Sequence, residues 1–415
     1  MKTISCVFAF LSIILLLTGC FDKREIEQRS YVIALGLDKA KGKEGLFDIT
    51  FQVENPEVVG PVQGSGTDEP PSETVTLTAN DFVTAQNTAN SFVSRKITLD
   101  FTRVLVVSEE LARSNEFLRI METAARTKDL RNNVSLIISK EKASEFLKNN
   151  HPKTETRLHK YFQFMIERAK ETGIIPEADI HRFFQITEGD ADLFLAMYAT
   201  TKQDGKKDRH EDEYIAGEIP QKGGNPTEFM GSAVFKEGKM IGSLTGEETR
   251  VSNILDNTMQ MEDVLTMYPD PKKDNYNIAA RFIKKKDTKV EVIYHKKRPT
   301  EINVTIPFQL EILAVPSLVD YSSNKKNKKL LKKKIESKVK RTFEDFVKKT
   351  QDEYKEDPFY WSLYVRKYFK TIKEYEKANW SKEIYPHAHI NIEVDLEEIE
   401  FGNLIKSTNF SEVAD

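Results

Sequence analysis

The N-terminal segment restricts where this chain folds and what can stabilise it. A charge-free apolar run at residues 4–17 follows Lys2 and leads into a Leu-Thr-Gly-Cys sequence. The run is too short to cross a hydrocarbon core of about 30 Å as a permanent helix, and its length is typical of the apolar region of a signal peptide. We therefore predict that residues 1–19 are a signal peptide that is removed on export.

The Leu-Thr-Gly-Cys sequence matches a bacterial lipobox. Small residues before the cysteine leave the bond between Gly19 and Cys20 accessible to a signal peptidase, and the Cys20 thiol can carry a diacylglyceryl group. Two acyl chains hold a protein on a bilayer where one is marginal, because each buried methylene contributes about 0.8 kcal/mol. We predict cleavage between Gly19 and Cys20, lipidation at Cys20, and membrane lipid as a partner of the acylated cysteine. The alternative is a plain secretory signal with a coincidental cysteine.

The remaining composition indicates a folded, exported protein without disulfides. The other cysteine, Cys6, lies in the predicted signal peptide, so the mature chain depends on core burial. The 415 residues are 39% hydrophobic and 10% aromatic, which excludes wholesale disorder. The 62 basic and 65 acidic residues nearly balance, so we expect no nucleic-acid partner. No later stretch approaches roughly 18 apolar residues, so we expect no second membrane segment.

Short β-branched and aromatic runs alternate with segments of helical period along the chain. Residues 31–37 and 46–53 have the pattern of buried strands. Residues 79–93 have helical period, with Phe92 on the apolar face. This alternation predicts an α+β (mixed α/β) fold of several domains, in which mixed sheets are packed by helices.

The most polar stretch of the sequence provides a candidate boundary. We divide the chain into the signal peptide at residues 1–19, an N-terminal α/β region at 20–201 that could hold two subdomains, a polar linker or loop at 202–226, and a C-terminal α/β region at 227–415.

The C-terminal region has clearer local signals. Residues 230–235 and 240–244 flank a turn at Gly238, which predicts a β-hairpin. Residues 247–267 are predicted to be helical. Strands are predicted further on, at residues 278–284, 289–295, 302–314 and 390–396.

Residues 325–354 predict one long amphipathic helix. Its apolar stripe comprises Leu331, Ile335, Val339, Phe343, Phe346 and Tyr354. The opposite face is basic and includes Lys329, Lys332, Lys333, Lys340, Lys348 and Lys349. Such a surface can gain about 1 kcal/mol per lysine near anionic lipid, or it can dock on an acidic partner. The solvated face of a helix packed on a sheet has the same pattern, so three interpretations stay open.

Motifs for catalysis are lacking in the sequence. There is no nucleophile-elbow, dinucleotide-binding or phosphate-loop motif. Residues 210–214 begin like a zinc-protease motif but have Tyr214 where a second histidine is required, which favours a solvated charged loop. His387 and His389 can share a strand face, but no third ligand is suggested nearby. We therefore predict no enzyme, no catalytic residues, no metal and no cofactor, and we assign no ligand-binding residue.

The start of the mature chain, GCFDKREIEQRSYVIALGLDKA at residues 19–40, resembles the Ger(x)C family, the C subunits of spore germinant receptors. In that family the lipobox cysteine is followed by an aromatic residue, Asp, a basic pair, Glu-Ile and a strand ending in Gly-x-Asp. These positions are held here by Cys20, Phe21, Asp22, Lys23, Arg24, Glu25, Ile26, Gly36 and Asp38. The family usually has Trp where this chain has Phe21.

Three later segments resemble the family in the same order. They are RTKDLRNNVSLIISKEKASEFL at residues 126–147, GSAVFKEGKMIGSLTGEET at 231–249, and the DPF at 357–359 with Trp380 and the strand leading to Gly402. The family tends to have glycines after DPF, whereas this chain has Tyr360-Trp361-Ser362. That turn is therefore expected to differ locally.

The resemblance implies a non-enzymatic, lipid-anchored protein of three mixed α/β domains on the outer face of the spore inner membrane. It implies assembly with two integral membrane subunits, of A and B type, into a nutrient receptor that triggers germination. Only Cys20, the lipid site, carries over as a functional residue. Two other classes stay open. A solute-binding lipoprotein of a transporter requires two similar lobes around a cleft, and a surface enzyme requires a motif that we do not find.

Overall fold

The apolar runs predicted to be strands pair into two sheets in the computed structural model of the chain. The structure describes residues 28–42, 44–55, 70, 72–189, 192–205, 212–257, 261–262 and 264–402. The predicted signal peptide and the predicted lipidation site Cys20 lie outside these residues.

Strands and helices are numbered here in chain order. The strands are β1 Arg29–Lys39, β2 Phe47–Glu54, β3 Ser72–Ala79, β4 Lys96–Thr98, β5 Val104–Ser108, β6 Ser135–Ser139, β7 Phe194–Thr200, β8 Glu228–Lys236, β9 Lys239–Leu244, β10 Val264–Pro269, β11 Asn277–Ile283, β12 Lys289–Ile293, β13 Glu301–Ala314 and β14 His389–Glu400. The helices are α1 Phe82–Ala89, α2 Glu109–Ala112, α3 Phe117–Arg126, α4 Ala143–Asn149, α5 Leu158–Glu171, α6 Ile180–Thr187, α7 Gly246–Asp256, α8 Lys325–Lys349, α9 Ser362–Val365 and α10 Ile372–Ala378.

The first sheet is mixed. Within the described residues its strand order is β3-β2-β1-β5-β6-β7-β8-β9, with the short β4 beside β1. β1, β5, β6 and β7 are parallel neighbours, and antiparallel strands extend the sheet on both sides. The parallel strands are almost entirely buried, as expected when helices cover both faces.

Asp38 links the first strand to a helix on that sheet. Its buried carboxylate accepts hydrogen bonds from the backbone N–H groups of Ala143 at 2.7 Å and Ser144 at 3.0 Å, at the start of α4. An acidic side chain here satisfies amides that have no partner within the helix, and its negative charge interacts favourably with the positive end of the helix dipole. The Gly-x-Asp ending of the first strand therefore has a structural role in the fold.

The second sheet is smaller and mostly antiparallel. Its described strands run β10-β11-β13-β12, and β14 pairs parallel to β13. One face of β13 is apolar and buried, formed by Ile302, Val304, Ile306, Phe308, Leu310 and Ile312. This face shares a hydrophobic core with α8. The two mixed sheets with packed helices confirm the predicted α+β class.

α8 is the long helix predicted at residues 325–354. The Asn324 side chain accepts hydrogen bonds from two first-turn amides at 3.0 and 3.1 Å, which fixes the start. The helix continues into one π turn and stops at Lys355, whose φ is 60°. The predicted stripe is buried at Leu331, Ile335, Val339, Phe343 and Phe346. Each of these side chains contributes about 1.5–3 kcal/mol by leaving water.

The predicted linker at residues 202–226 joins two strands of one sheet. β7 and β8, on its two sides, are antiparallel neighbours. Leu193 and Leu195 near β7, and Val234 and Leu244 on the hairpin, belong to the second core, while the rest of this sheet packs into the first. Because hydrogen bonding continues through β9, no break between sheets falls at this stretch. A domain division there stays a proposal.

Some local expectations differ from the structure. The helix predicted at residues 247–267 ends at Asp256, because Asn257 adopts a left-handed φ of 60° that stops it, and β10 follows. Phe92 lies beyond the end of α1 and is 57% exposed, so its predicted place on the apolar face is wrong. The predicted hairpin is confirmed: its two turn residues, Glu237 and Gly238, have φ of 50° and 75°.

Candidate functional site at the junction of the two cores

Helix α7 lies between the two cores and starts at a close backbone contact. The Thr245 hydroxyl accepts a hydrogen bond from the Glu248 N–H at 3.2 Å, and the Glu248 carboxylate accepts one from the Thr245 N–H at 3.0 Å. The Glu247 N–H donates to the carbonyl of Asp212 at 2.6 Å. Gly246 permits this approach, since a Cβ there would lie 2.9 Å from that carbonyl oxygen. The contact places Glu247 beside Asp212.

The Asp212 carboxylate pairs with Arg250, which lies about one turn after Glu247 on α7. Arg250 is buried, and its guanidinium also donates to the carbonyls of Thr172 at 3.0 Å and Leu265 at 3.1 Å. A buried cation needs such partners, because an unpaired buried charge costs several kcal/mol. Arg250 therefore has a paired charge and ties α7 to backbone on both sides of the junction.

Glu247 has a different environment. Among the described residues no hydrogen bond or ion pair reaches its carboxylate. Burial raises the pKa of Glu247 to about 7, and the Asp212 carboxylate acts in the same direction, whereas Lys338 on α8 opposes it. Glu213 and Glu248 contribute smaller effects that also raise the pKa. The Glu247 carboxyl therefore changes its protonation near neutral pH, well above the range of an exposed glutamate.

A cavity of about 200 Å³ opens between α7, β10 and α8. Its apolar lining includes Val251, Ile254, Val264, Phe282, Val339 and Phe343. Its charged lining comprises Asp212, Glu213, Glu247, Arg250 and Lys338. Glu247 also lines two neighbouring spaces, of about 620 and 170 Å³. The three spaces therefore meet at Glu247.

The lysines predicted on the outer face of α8 have different surroundings. Lys349 reaches the Glu248 carboxylate at 2.8 Å and so contacts the start of α7. Lys332 and Lys340 each lie near a glutamate one turn further on, at 3.8 and 3.6 Å. Lys329, Lys333 and Lys348 are exposed. Exposed helix pairs contribute only about 0.3–0.5 kcal/mol, so a solvated face describes most of this surface.

The DPF segment is a second connection between the cores. The Asp357 carboxylate is fully buried and accepts hydrogen bonds from the Phe359 N–H at 3.0 Å, the Trp361 N–H at 3.1 Å and Trp380 Nε1 at 2.8 Å. Its carbonyl accepts a hydrogen bond from the Leu193 N–H at 3.0 Å, next to β7. Burial raises the pKa of Asp357 to about 6, although the three hydrogen bonds to the carboxylate oppose this.

Asp192 brings a second carboxyl to this connection. It forms a backbone bridge with Asp357, and its carboxylate accepts a hydrogen bond from the Ser362 hydroxyl at 2.9 Å. The other carboxylate oxygen is buried and has no hydrogen-bond partner among the described residues. Burial raises the pKa of Asp192 well above its usual value, and the Asp357 charge adds to the effect. The two cores thus meet at two carboxyls whose pKa values are both raised by burial.

Tyr360, the residue that follows the DPF segment, has a left-handed φ of 59°. The Arg182 guanidinium of α6 lies 5.0 Å from its ring centroid and donates to its hydroxyl at 3.0 Å. Arg182 also pairs with Asp256, at the end of α7, at 2.8 Å. These contacts join helices of both cores to the turn and stabilise a backbone conformation that is otherwise costly for tyrosine.

The structure describes only some of the residues that were considered as functional candidates in the sequence. Gly19 and Cys20 lie outside the described residues, so cleavage and lipidation there stay predictions. A solvated loop at residues 210–214 is wrong for Asp212, which pairs with Arg250, and for Tyr214, which is buried. His389 is exposed on β14.

Two further features of the described residues bear on membrane and metal chemistry. In this part of the chain no helix has the length and apolarity needed to cross a membrane. No group of three or more His, Cys, Asp or Glu side chains among the same residues is arranged to hold a metal ion.

Glu247 was not among the residues predicted to be functional. The Thr-Gly-Glu-Glu sequence at residues 245–248 is a recognisable capping box and locates the helix start. Nothing local indicates that Asp212 and Arg250, which are 38 residues apart, form a pair. The environment of Glu247 depends on that pair and on α8, so only the folded chain shows it.

The fold and the junction define an α+β protein with two cores that meet at helix α7, at the buried turn of the DPF segment and along the β7–β9 end of the first sheet. Two family models match this chain. One, described as the spore germination protein N-terminal domain, matches residues 22–200, and the other, described as spore germination B3/GerAC like, C-terminal, matches residues 230–402. Together they cover most of the sequence. The chain belongs to this family of spore germination proteins, which confirms the resemblance.

Individual relatives agree with the family models. The chain is 21% identical to spore germination protein B3 of Bacillus subtilis (strain 168), over 98% of this chain and 100% of that protein. It is 24% identical to spore germination protein GerQC of Bacillus cereus, over 95% of this chain and 98% of that protein. The similarity to spore germination protein KC of Bacillus subtilis is 29% but local, covering 35% of this chain and 36% of that protein.

A solved structure shares the fold. The crystal structure of the GerBC protein superposes with a TM-score of 0.52 at 16% sequence identity, over 89% of this chain and 97% of that chain. At this identity the likeness concerns the fold alone, and it agrees with the α+β architecture.

Proposed function

We propose that this chain is the lipid-anchored C subunit of a nutrient germinant receptor. Its role is receptor assembly and the signalling that triggers spore germination. The observation that carries the proposal is the match of both family models along the chain. Two relatives of nearly equal length, each named as a spore germination protein, support it. The proposed role is not enzymatic.

The proposed anchor is Cys20, acylated after residues 1–19 are removed. It holds the folded chain on the outer face of the spore inner membrane, beside two integral membrane subunits of A and B type. β1 begins at Arg29, so the connection to the anchor spans at most about 30 Å when extended. The first sheet would therefore stay close to the bilayer, where its surface can meet membrane subunits.

The alternative of a solute-binding lipoprotein has less support. That class needs two similar lobes facing each other across a cleft. The two sheets described here differ in strand order and in the balance of parallel and antiparallel pairs. The similarity to spore germination proteins along most of the chain also favours the receptor subunit.

The anchoring part is tested by Cys20→Ala in the full-length protein, with Cys6→Ala as the matched control. Spore membranes are separated from soluble protein, and the germination response to nutrients is measured. We expect Cys20→Ala to move the protein out of the membrane fraction and to slow germination, and Cys6→Ala to behave like wild type. Retention of Cys20→Ala in the membrane at the wild-type level would contradict the anchor.

The partner part is tested by purifying the tagged full-length protein from spore membranes in mild detergent. We expect two multi-span membrane proteins at constant stoichiometry. Recovery of a transporter permease, or of no membrane protein together with tight binding of a solute, would support the solute-binding alternative instead.

A further inference from the structure

The cavity between α7, β10 and α8 has the size of a small ligand. Its volume is about 200 Å³. An apolar cavity of about 150 Å³ can hold benzene, so this one accommodates roughly six to eight heavy atoms. An apolar pocket with a few convergent polar groups is the usual form of a small-molecule site.

The charges around the cavity are not equally available to a ligand. Arg250 is paired with Asp212 and bonded to two backbone carbonyls, so neither of these two charges is free. The Glu247 carboxylate has no hydrogen bond or ion pair from any described residue. Lys338 is exposed, and its ammonium can remain in water. The lining therefore presents one partly buried carboxylate without a direct partner beside an apolar wall.

We propose that this cavity binds a small molecule with an apolar body and a primary ammonium group. The ammonium would donate hydrogen bonds to the Glu247 carboxylate, and the apolar body would contact Val251, Val339 and Phe343. A charge-assisted hydrogen bond of this kind is roughly twice as strong as a neutral one. This binding does not depend on the membrane subunits, so it can fail or hold independently of the receptor assignment.

Binding of an amine here should depend on pH through Glu247. The ligand needs the ionised carboxylate, and burial together with Asp212, Glu213 and Glu248 raises the pKa of Glu247 to about 7, against Lys338. An alkylamine stays protonated up to a pH near 10, as lysine does. Affinity should therefore rise as the pH increases from 6 to 8.

The test uses the full-length lipidated protein in phosphatidylcholine nanodiscs, with empty discs as the blank. The probes are 3-methylbutan-1-amine and its neutral counterpart 3-methylbutan-1-ol, titrated by saturation-transfer NMR. We expect the amine to bind in the millimolar range, at least tenfold more tightly than the alcohol. Equal affinities for the two probes would overturn the ammonium assignment.

Three variants locate the site. Glu247→Gln should weaken amine binding at least tenfold, leave alcohol binding unchanged and remove the pH dependence. Glu291→Gln, the same change at an exposed position of β12, should stay within twofold of wild type. Thr342→Phe, which places a ring at the cavity wall, should abolish binding of both probes. An equal effect of the two glutamine variants, or wild-type binding by Thr342→Phe, would overturn the proposal.

Discussion

Tyr360 offers a direct test of how the two cores are held together. Its φ of 59° costs a side-chain-bearing residue about 1–2 kcal/mol relative to glycine. Contacts of the Tyr360 ring and hydroxyl with Arg182 offset this strain, and Arg182 in turn pairs with Asp256. Arg182 and Asp256 have side chains only 19% and 7% exposed, so solvent screens this network weakly. The turn conformation should therefore depend on the tyrosine side chain.

Three substitutions separate the contributions of backbone and side chain at this position. Tyr360→Ala removes a partly buried ring, costing about 3 kcal/mol, and a cation–π contact of about 0.5–2 kcal/mol, while the strained φ remains. Tyr360→Gly loses the same contacts but relieves the strain, so it should be about 1 kcal/mol more stable than Tyr360→Ala. Tyr360→Phe loses only the hydroxyl bond to Arg182, worth about 1–2 kcal/mol.

Urea unfolding followed by two probes measures this series. Both tryptophans of the chain, Trp361 and Trp380, belong to the second core, so their fluorescence reports on that core. Far-UV circular dichroism reports on both cores. We expect the order wild type, Phe, Gly, Ala in unfolding free energy. An alanine variant as stable as the glycine variant would refute the argument from backbone strain.

Three further predictions follow from buried positions, each measured by urea unfolding. Gly231→Ala should lower the free energy of unfolding by about 3 kcal/mol, because its φ is 84° and a Cβ would overlap a carbonyl of the next strand. Gly42→Ala is the control: its φ is 77° but the space around it is open, so it should lower the free energy of unfolding by only about 1 kcal/mol. Equal losses for the two variants would contradict the clash. Asp192→Asn should become more stable relative to wild type as the pH rises from 5 to 7.5. Burial and Asp357 raise the pKa of Asp192 in the folded protein, so the wild type loses stability as this carboxyl ionises and the asparagine variant does not. A difference in stability that does not depend on pH would contradict this. Phe343→Ala should cost about 3–5 kcal/mol, and a loss below 1 kcal/mol would show that α8 is not packed as described.

The junction has a consequence for signalling if the receptor assignment holds. α7 contacts the first core through Arg250 and α8 through Glu248 and Lys349. A change at Glu247, by protonation or by a ligand, would act on the helix that both cores share. A coupling of this kind needs two arrangements of the junction with different affinities for the ligand. The pH dependence of amine binding is the first measurement that bears on it.

Local spacing alone was enough to predict many elements of this protein. The stripe of α8, the hairpin turn at Gly238 and the first two strands depend on residues a few positions apart, where period and turn chemistry are decisive. The lipobox-like sequence before Cys20 is likewise a local pattern, and its role stays a prediction. The ordered motifs were sufficient to indicate the family.

Tertiary structure alone decided the rest. The continuation of the first sheet past residues 202–226, the pair of Asp212 with Arg250 and the meeting of Asp192 with Asp357 join residues that are distant in sequence. Such pairs follow from how sheets and helices pack, and local periodicity contains no information about which distant groups become neighbours. The pKa of Glu247 is a further case, because burial and the surrounding charges set it, and both arise only when α7, α8 and the segment at Asp212 come together.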